Sequence, residues 1–320
     1  MTIQWFPGHM QDTEIFLKKA VSSVDVVMEI LDARLPLSSA NPLLDQICKS
    51  VLRIKVLNKQ DIADPVITRL WLNYFKSLNG YENRCCAIAI TGTDGVDTWR
   101  ALELALSTIQ TAKDTTAKSR RLRVMVAGIP NTGKSTIMNT LAGKRIAKTG
   151  NVPAITRQQQ RTSLKNKIDI YDTPGVLWPV LENQHGAYLL AVSGAISDVA
   201  IDYSDIAMFI LGYLIEKYPD SLKERYNLPD NMFNNIKNNI VEHIDFAKDS
   251  KENNDAEKKN IDNSFMIDDR VLILEKIGAA RGCLRKGGVV DLQKASELLI
   301  RELRSCKIGR ISLESPEAFS

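Results

Sequence analysis

Histidine, cysteine and long apolar runs are all scarce in this chain. The five cysteines (Cys48, Cys85, Cys86, Cys283 and Cys306) form no C-x-x-C pair and no even framework. That excludes a disulfide scaffold and reads as reduced thiols in a cytoplasmic protein. The longest apolar run, "IAMFILGYLI" at 206–215, is too short to span a bilayer and lies between Asp205 and Glu216. Its apolar positions Ile206, Phe209, Ile210, Tyr213 and Leu214 follow helical spacing, which predicts a buried helix with Ser204 as N-cap. The first fifteen residues lack a basic start followed by an apolar run, so no signal peptide is expected. A net charge of only +4 excludes a generally basic binder but leaves room for a local cationic patch. What remains, 44% hydrophobic and 25% charged over 320 residues, fits an ordinary globular protein of about two domains.

Five short β-branched runs, 24–33, 51–58, 85–91, 122–128 and 168–173, read as buried strands ending in polar or turn residues. Helical patterns lie between several of them, which predicts an α/β fold with a mainly parallel sheet over residues 1–180. A polar, basic stretch at 111–123 reads as a solvated link. From 181 to 320 the pattern turns helical, with helices expected at 186–196, 204–217, 266–281 and 291–304. The stretch 245–263 is nearly free of apolar residues and reads as a flexible insertion in this second domain.

"GIPNTGKST" at 128–136 fits G-x-x-x-x-G-K-[ST], after an expected strand and at the start of an expected helix. In such a loop the backbone N–H groups of Asn131, Thr132, Gly133, Lys134, Ser135 and Thr136 can wrap phosphates, helped by the helix dipole. Lys134 would reach the β- and γ-phosphates and Ser135 would ligate Mg²⁺. "YDTPG" at 171–175 ends a second strand. It places Asp172 to hold the Mg²⁺ shell and the Gly175 N–H to touch the γ-phosphate. Between these motifs Thr156 is the candidate switch threonine, ordered by γ-phosphate and Mg²⁺, with an ordinary loop threonine as the alternative.

"NKQD" at 58–61 ends another expected strand. Asp61 can accept two hydrogen bonds from guanine, at N1–H and the 2-amino group, which adenine does not offer. Leaving that carboxylate unpaired would cost on the order of 1–3 kcal/mol, so GTP is preferred over ATP. Lys59 would lay its stem along the base, Gln60 completes the motif, and Asn58 would tie loops together. In "ITGTDG", Thr91, Gly92 and Thr93 are similar to the loop whose backbone contacts the guanine oxygen. The order is unusual, because the base motif precedes the phosphate loop, at 58 against 128. A circular permutation keeps the same pocket and moves the break to just after D-x-x-G. The nucleotide-sensitive segment then runs directly into the helical domain, which suits a conformational switch.

These motifs, with "WFPGHM" (5–10), "LDARLPLSSANP" (31–42), "AKTGNVPAITRQQQ" (147–160), "RGCLRKGG" (281–288) and "KIGRISLESP" (307–316), make the chain resemble the circularly permuted GTPases of the ribosome biogenesis GTPase A family. The resemblance covers nearly all of the chain outside 245–263. It implies GTP binding and hydrolysis to GDP in a late step of large (50S) subunit assembly, with a helical domain that contacts rRNA. It also implies potassium-stimulated hydrolysis, with Asn131 helping to hold K⁺. The expected partners are the large-subunit precursor and its rRNA, the expected location is the cytoplasm, and the expected state is a monomer.

Residues 270–310 carry ten Lys or Arg against four acids. Arg281, Arg285 and Lys286 surround a glycine turn, and Arg301, Arg304, Lys307 and Arg310 lie along and beyond the last helix. Such a set suits RNA phosphates, and a solvated helix face is the alternative. The position after D-x-x-G is Val176, then Leu177, and neither can orient an attacking water. Trp5 and Phe6 can anchor the N-terminal segment and Pro7-Gly8 can turn it, which makes His9 the candidate catalytic group. The resemblance implicates the same histidine, and a role in capping a turn or contacting rRNA is the alternative. Two rival functions stay open: a P-loop nucleotide kinase, and a signalling switch with protein effectors only.

Overall fold

The computed structural model describes residues 10–78, 86–112, 121–146, 160–173, 184–234 and 269–319. The chain divides into two compact units, residues 1–201 with 310–320, and residues 202–309. The boundary expected at 180 therefore falls at 201, and the last eleven residues return to the first unit.

Six strands form one sheet in the first unit among the described residues. They are β1 (Val26–Asp32), β2 (Leu52–Asn58), β3 (Cys86–Ile90), β4 (Leu122–Ala127), β5 (Gln160–Leu164) and β6 (Ile168–Asp172). Their order is β3-β2-β1-β4-β6-β5, parallel throughout except for the edge pair β5–β6. The five expected strands are all present. The sixth, β5, reads "QRTSL", too polar to announce a strand, and it pairs antiparallel through a tight turn at Asn166 and Lys167.

Side chains alternate across a strand, so each central strand must bury two faces. On β1, Val26, Met28 and Ile30 pack with α4 (Gly95–Ala112) and α5 (Lys134–Ala142) through Leu102, Ala105, Ile137 and Met138. The opposite face is covered by α1 (Met10–Ser22), α2 (Pro42–Ile47) and α3 (Pro65–Ser77). There Val27 meets Ala20, Val21 and Leu44, while Leu31 and Leu57 meet Trp71 and Phe75. Helix α3 starts where it does because the Asp64 carboxylate accepts from Val66 and Ile67 N–H, with Pro65 at the first helical position. Helix α6 (Gln184–Ser193) completes the first unit.

The second unit is helical among its described residues: α7 (Tyr203–Lys217), α8 (Pro219–Tyr226), α9 (Asn231–Asn234), α10 (Asp269–Ala280) and α11 (Leu292–Arg304). The run 206–215 lies within α7 and buries Ile206, Ile210 and Leu214 as expected. Its cap differs, because Asp202 rather than Ser204 is the N-cap and accepts from Ser204 N–H at 2.8 Å. The stretch 245–263 lies outside the described residues. No helix among the described residues is long and apolar enough to cross a membrane.

One buried ion pair sits at the middle of the sheet. Glu29, fully buried on β1, accepts from Lys55 Nζ at 3.0 Å and lies 3.4 Å from Arg53, while its other oxygen accepts from Asn41 N–H. Removing one partner strands the other's charge in the interior. Glu29→Ala is expected to cost about 3 kcal/mol, read as a lower urea midpoint for unfolding. A loss below about 1 kcal/mol would show Lys55 reaching water instead.

Candidate functional site

The strand register places the motifs together. Asp32, Asn58 and Ile90 stand side by side at the carboxyl ends of β1, β2 and β3, and Val126 of β4 faces Asp172 of β6. Strand order reverses between β1 and β4: the chain lays β2 and β3 on one side and β6 on the other. A crevice outside the carboxyl ends at such a reversal is where open α/β sheets take ligands.

The loop after β4 depends on glycine. Gly128 has φ +149, and a Cβ there would stand 2.5 Å from the Ile30 carbonyl. Gly133 has φ +98, and a Cβ would fall 2.2 Å from Asn58 Nδ2. Helix α5 starts at Lys134, so the N–H groups of Lys134, Ser135 and Thr136 belong to its first turn. Thr132 is buried and its hydroxyl donates to the Ile129 carbonyl at 3.1 Å. Asn131 is left-handed, at φ 60, and its amide donates to the Gly194 carbonyl just past α6 at 2.5 Å. Lys134 is buried, and its ammonium donates to the Ile129 carbonyl at 2.7 Å. Burial pushes it down to about 8, against the pull of the Asp172 carboxylate. Asp172 is itself buried at the end of β6.

Asn58 joins this loop to the base motif. Its Nδ2 donates to the Thr132 carbonyl at 2.7 Å, and its Oδ1 accepts from Gly92 N–H at 2.8 Å. The Gly92 carbonyl in turn accepts from the Thr140 hydroxyl on α5. Lys59 is left-handed, at φ 66, a backbone that costs a non-glycine residue about 1–3 kcal/mol. Its ammonium is held by Asp32 at 2.8 Å, and Arg34 holds the same carboxylate through two guanidinium bonds. Burial alone would raise the Asp32 carboxyl, but the Arg34 and Lys59 charges hold it well below the usual carboxylate range. Gln60 donates to Asp97, whose same oxygen accepts from Thr91 N–H. Asp61 is exposed within this frame.

Asn58, Lys59, Gln60, Asp61, Thr91, Gly92, Asn131 to Thr136 and Asp172 thus all lie at the carboxyl ends of the strands or in the turns and helix start that follow them. His9, Thr156 and Gly175 lie outside the described residues. Asp32, Arg34 and Asp97 were not among the expected site residues; "LDAR" and "TDGVD" carried them without a spacing that names a role. The cationic set lies elsewhere, in the second unit. Arg281 donates to the Arg225 carbonyl and lies over the Tyr226 ring, and Arg285 pairs with Asp291. Lys286 and Arg301 are exposed, and Arg304 is half-buried. Arg310 parts from the set: it belongs to the first unit and donates to the carbonyls of Gln60 and Ala63.

Residues 123–244 match the family model described as "50S ribosome-binding GTPase". The chain is 38% identical to "Ribosome biogenesis GTPase A" of Priestia megaterium over 99% of this chain and 98% of that one. It is also 38% identical to the protein of that name from Bacillus cereus, over 100% of this chain and 96% of that one. The chain belongs to the ribosome biogenesis GTPase A family. Among solved structures it is similar to GNP-bound YlqF from T. maritima, with TM-score 0.57 and 26% identity, covering 96% of this chain and 99% of that one. The family makes this fold a circularly permuted P-loop GTPase domain, and the chain an enzyme that hydrolyses GTP. The family model begins at 123, and "NKQD" lies 62 residues before it, as a permuted order requires.

Lys134 provides a test of the site. Its charged form is penalised in the folded protein at neutral pH, and the penalty fades as pH rises through about 8 toward the ordinary 10.5. Lys134→Met is expected to raise the melting temperature at pH 7 by roughly 2–4 °C, and by less at pH 9.5. The same variant should lose the stabilisation that GDP with Mg²⁺ brings. An unchanged melting temperature at pH 7 would show the ammonium to be hydrated.

Proposed function

We propose that this GTPase assists a late step in assembly of the large (50S) ribosomal subunit, docking on rRNA through its second unit. The reading is carried by the cationic turn and helix there. Arg281, Arg285 and Lys286 are exposed on the turn after α10, alongside exposed Leu284 and Val289, and Arg301 and Arg304 end α11. The names of the bacterial relatives support a ribosomal target. The P-loop kinase reading has no use for "NKQD", and the frame built around that motif argues against it.

In this reading Asn131 to Thr136 cradle the phosphates with backbone N–H groups, and Lys134 leaves the Ile129 carbonyl to neutralise the β- and γ-oxygens. Asp61 reads guanine by accepting from N1–H and the 2-amino group, and Lys59 flanks the base. Gly92 and Thr91 stand at the base loop held by Asn58 and Asp97. Ser135, a hydroxyl in the first turn of α5, and Asp172, a carboxylate at the end of β6, fit the one or two oxygen ligands that Mg²⁺ takes from protein beside phosphates. No group of three or more His, Cys, Asp or Glu side chains among the described residues offers a closed cage. A bound Mg²⁺ would offset the charge developing on the transferred phosphoryl oxygens. With its amide donated to Gly194, Asn131 keeps its carbonyl oxygen as a ligand for K⁺. Thr156 and Gly175 would meet the γ-phosphate. His9 directly precedes α1, whose Leu17, Ala20 and Val21 are buried on the sheet, and it would orient the water that Val176 cannot.

Docking is tested by replacing Lys286 and Arg301 together with Gln. Cosedimentation with large-subunit particles should weaken, and the slope of log affinity against log salt should become shallower by about 1–2. GDP affinity should be unchanged. Undiminished cosedimentation would move the docking surface elsewhere and favour a switch with protein effectors only. His9→Ala should slow particle-stimulated GTP turnover by roughly two orders of magnitude without changing GDP affinity. Wild-type stimulated turnover would remove His9 from the chemistry.

A further inference from the structure

The segment Arg310–Glu314 belongs to the first unit and bonds the turn after β2 and the loop after β1. Arg310 Nε donates to the Ala63 carbonyl at 2.9 Å, and a second guanidinium nitrogen donates to the Gln60 carbonyl at 2.7 Å. Ile311 N–H donates to the Ile62 carbonyl, and the Ser312 hydroxyl accepts from Asp64 N–H. Beyond Ser312 the segment bonds the loop after β1. Leu313 N–H donates to the Arg34 carbonyl at 2.6 Å. The Glu314 carboxylate accepts from the N–H groups of Leu37 and Ser38 and from the Ser38 hydroxyl, and its carbonyl accepts from the Trp71 indole. Ile311, Ser312, Leu313 and Glu314 are all buried.

We propose that Arg310 is a positioning residue for guanine selection, acting through the backbone on either side of Asp61. The proposal rests on the reading of Asp61 as the base-reading carboxylate. Residues 60, 62, 63 and 64 each have a backbone group tied to the 310–312 segment, and the residue they flank in the chain is Asp61. A left-handed Lys59 persists only where its surroundings over-determine it. Those surroundings are Asp32 on the side chain and the 310–312 segment on the following turn. Leu313, next along the chain, bonds the Arg34 carbonyl, the Arg34 guanidinium holds Asp32, and Asp32 holds Lys59. One short piece of chain thus sets both the carboxylate that reads the base edge and the lysine that flanks the base. Arginine is needed because its planar fork reaches two carbonyls three residues apart, whereas a lysine ammonium is a single point.

The test compares GDP with inosine diphosphate, which lacks the 2-amino group and so loses one of the two bonds to Asp61. Dissociation constants are measured with Mg²⁺ for the full-length chain, Arg310→Ala, Arg310→Lys, Asp61→Ala and the double variant. Arg310→Ala should weaken GDP roughly tenfold and inosine diphosphate much less, so that the ratio between them collapses. Arg310→Lys should fall between, and it carries the test if Arg310→Ala does not fold. The double variant should match Asp61→Ala. Equal loss for both nucleotides, or a further loss in the double variant, would overturn the proposal and leave the segment as general support for the fold. An unaltered ratio in Asp61→Ala would instead remove the base-reading role of Asp61, and the positioning role with it.

Discussion

Two hydrogen bonds from one side chain hold the nucleotide edge of this protein together. Asn58 sits at the end of β2, and its amide reaches across to the phosphate loop after β4 and to the loop after β3. That reach dictates the glycines around it. Gly92 and Gly133 have no Cβ because the Asn58 amide occupies the space that a Cβ would need. Any larger residue at either position displaces the bridge before it touches a ligand. The phosphate loop and the base loop are therefore bonded to one shared side chain, although Asn58 stands 70 positions before Gly128.

That bridge explains why the permuted order is tolerated. The pocket depends on which strands are neighbours and where they end, not on which is made first. β1 and β4 sit side by side at the reversal, and the register brings the ends of β1, β2 and β3 level. Moving the chain break leaves these relations intact. It changes the destination of the chain beyond D-x-x-G, which now continues into α6, and Gly194 just past α6 accepts from Asn131 of the phosphate loop. The segment leading out of the catalytic domain is thereby bonded back to the loop at its centre.

The sequence was most readable where chemistry demands fixed residue types at fixed spacing. "GIPNTGKST" and "NKQD" were located by pattern, and the strands before them by short β-branched runs. Legibility failed where a segment's role depends on distant partners. β5 is polar because it is a half-exposed edge strand, so it carries no buried-strand signature. α6 read as the start of the helical domain because its sequence is helical; its contacts place it in the first unit, where it buries Ala187, Leu189 and Leu190. Arg310 read as one more cation in a basic stretch, since charge alone does not reveal that its partners are two carbonyls 250 and 247 residues away. The Asp32–Arg34–Lys59 cluster was hidden for the same reason, being assembled by strand register and not by spacing.

The chain path has a consequence for biosynthesis. The second unit is an insertion in the first, entered after residue 201 and left before residue 310. Chains emerge N-terminus first, at about 5–20 residues per second, and domains generally fold as units. Here the sheet can assemble early, while the frame around Gln60, Ile62 and Ala63 waits for residues translated after the whole helical unit. A chain released prematurely within that unit lacks the residues that bond the Gln60, Ile62 and Ala63 carbonyls. The bonds from Arg310 and Ile311 to Gln60, Ala63 and Ile62 are thus among the late ones to form as the chain emerges.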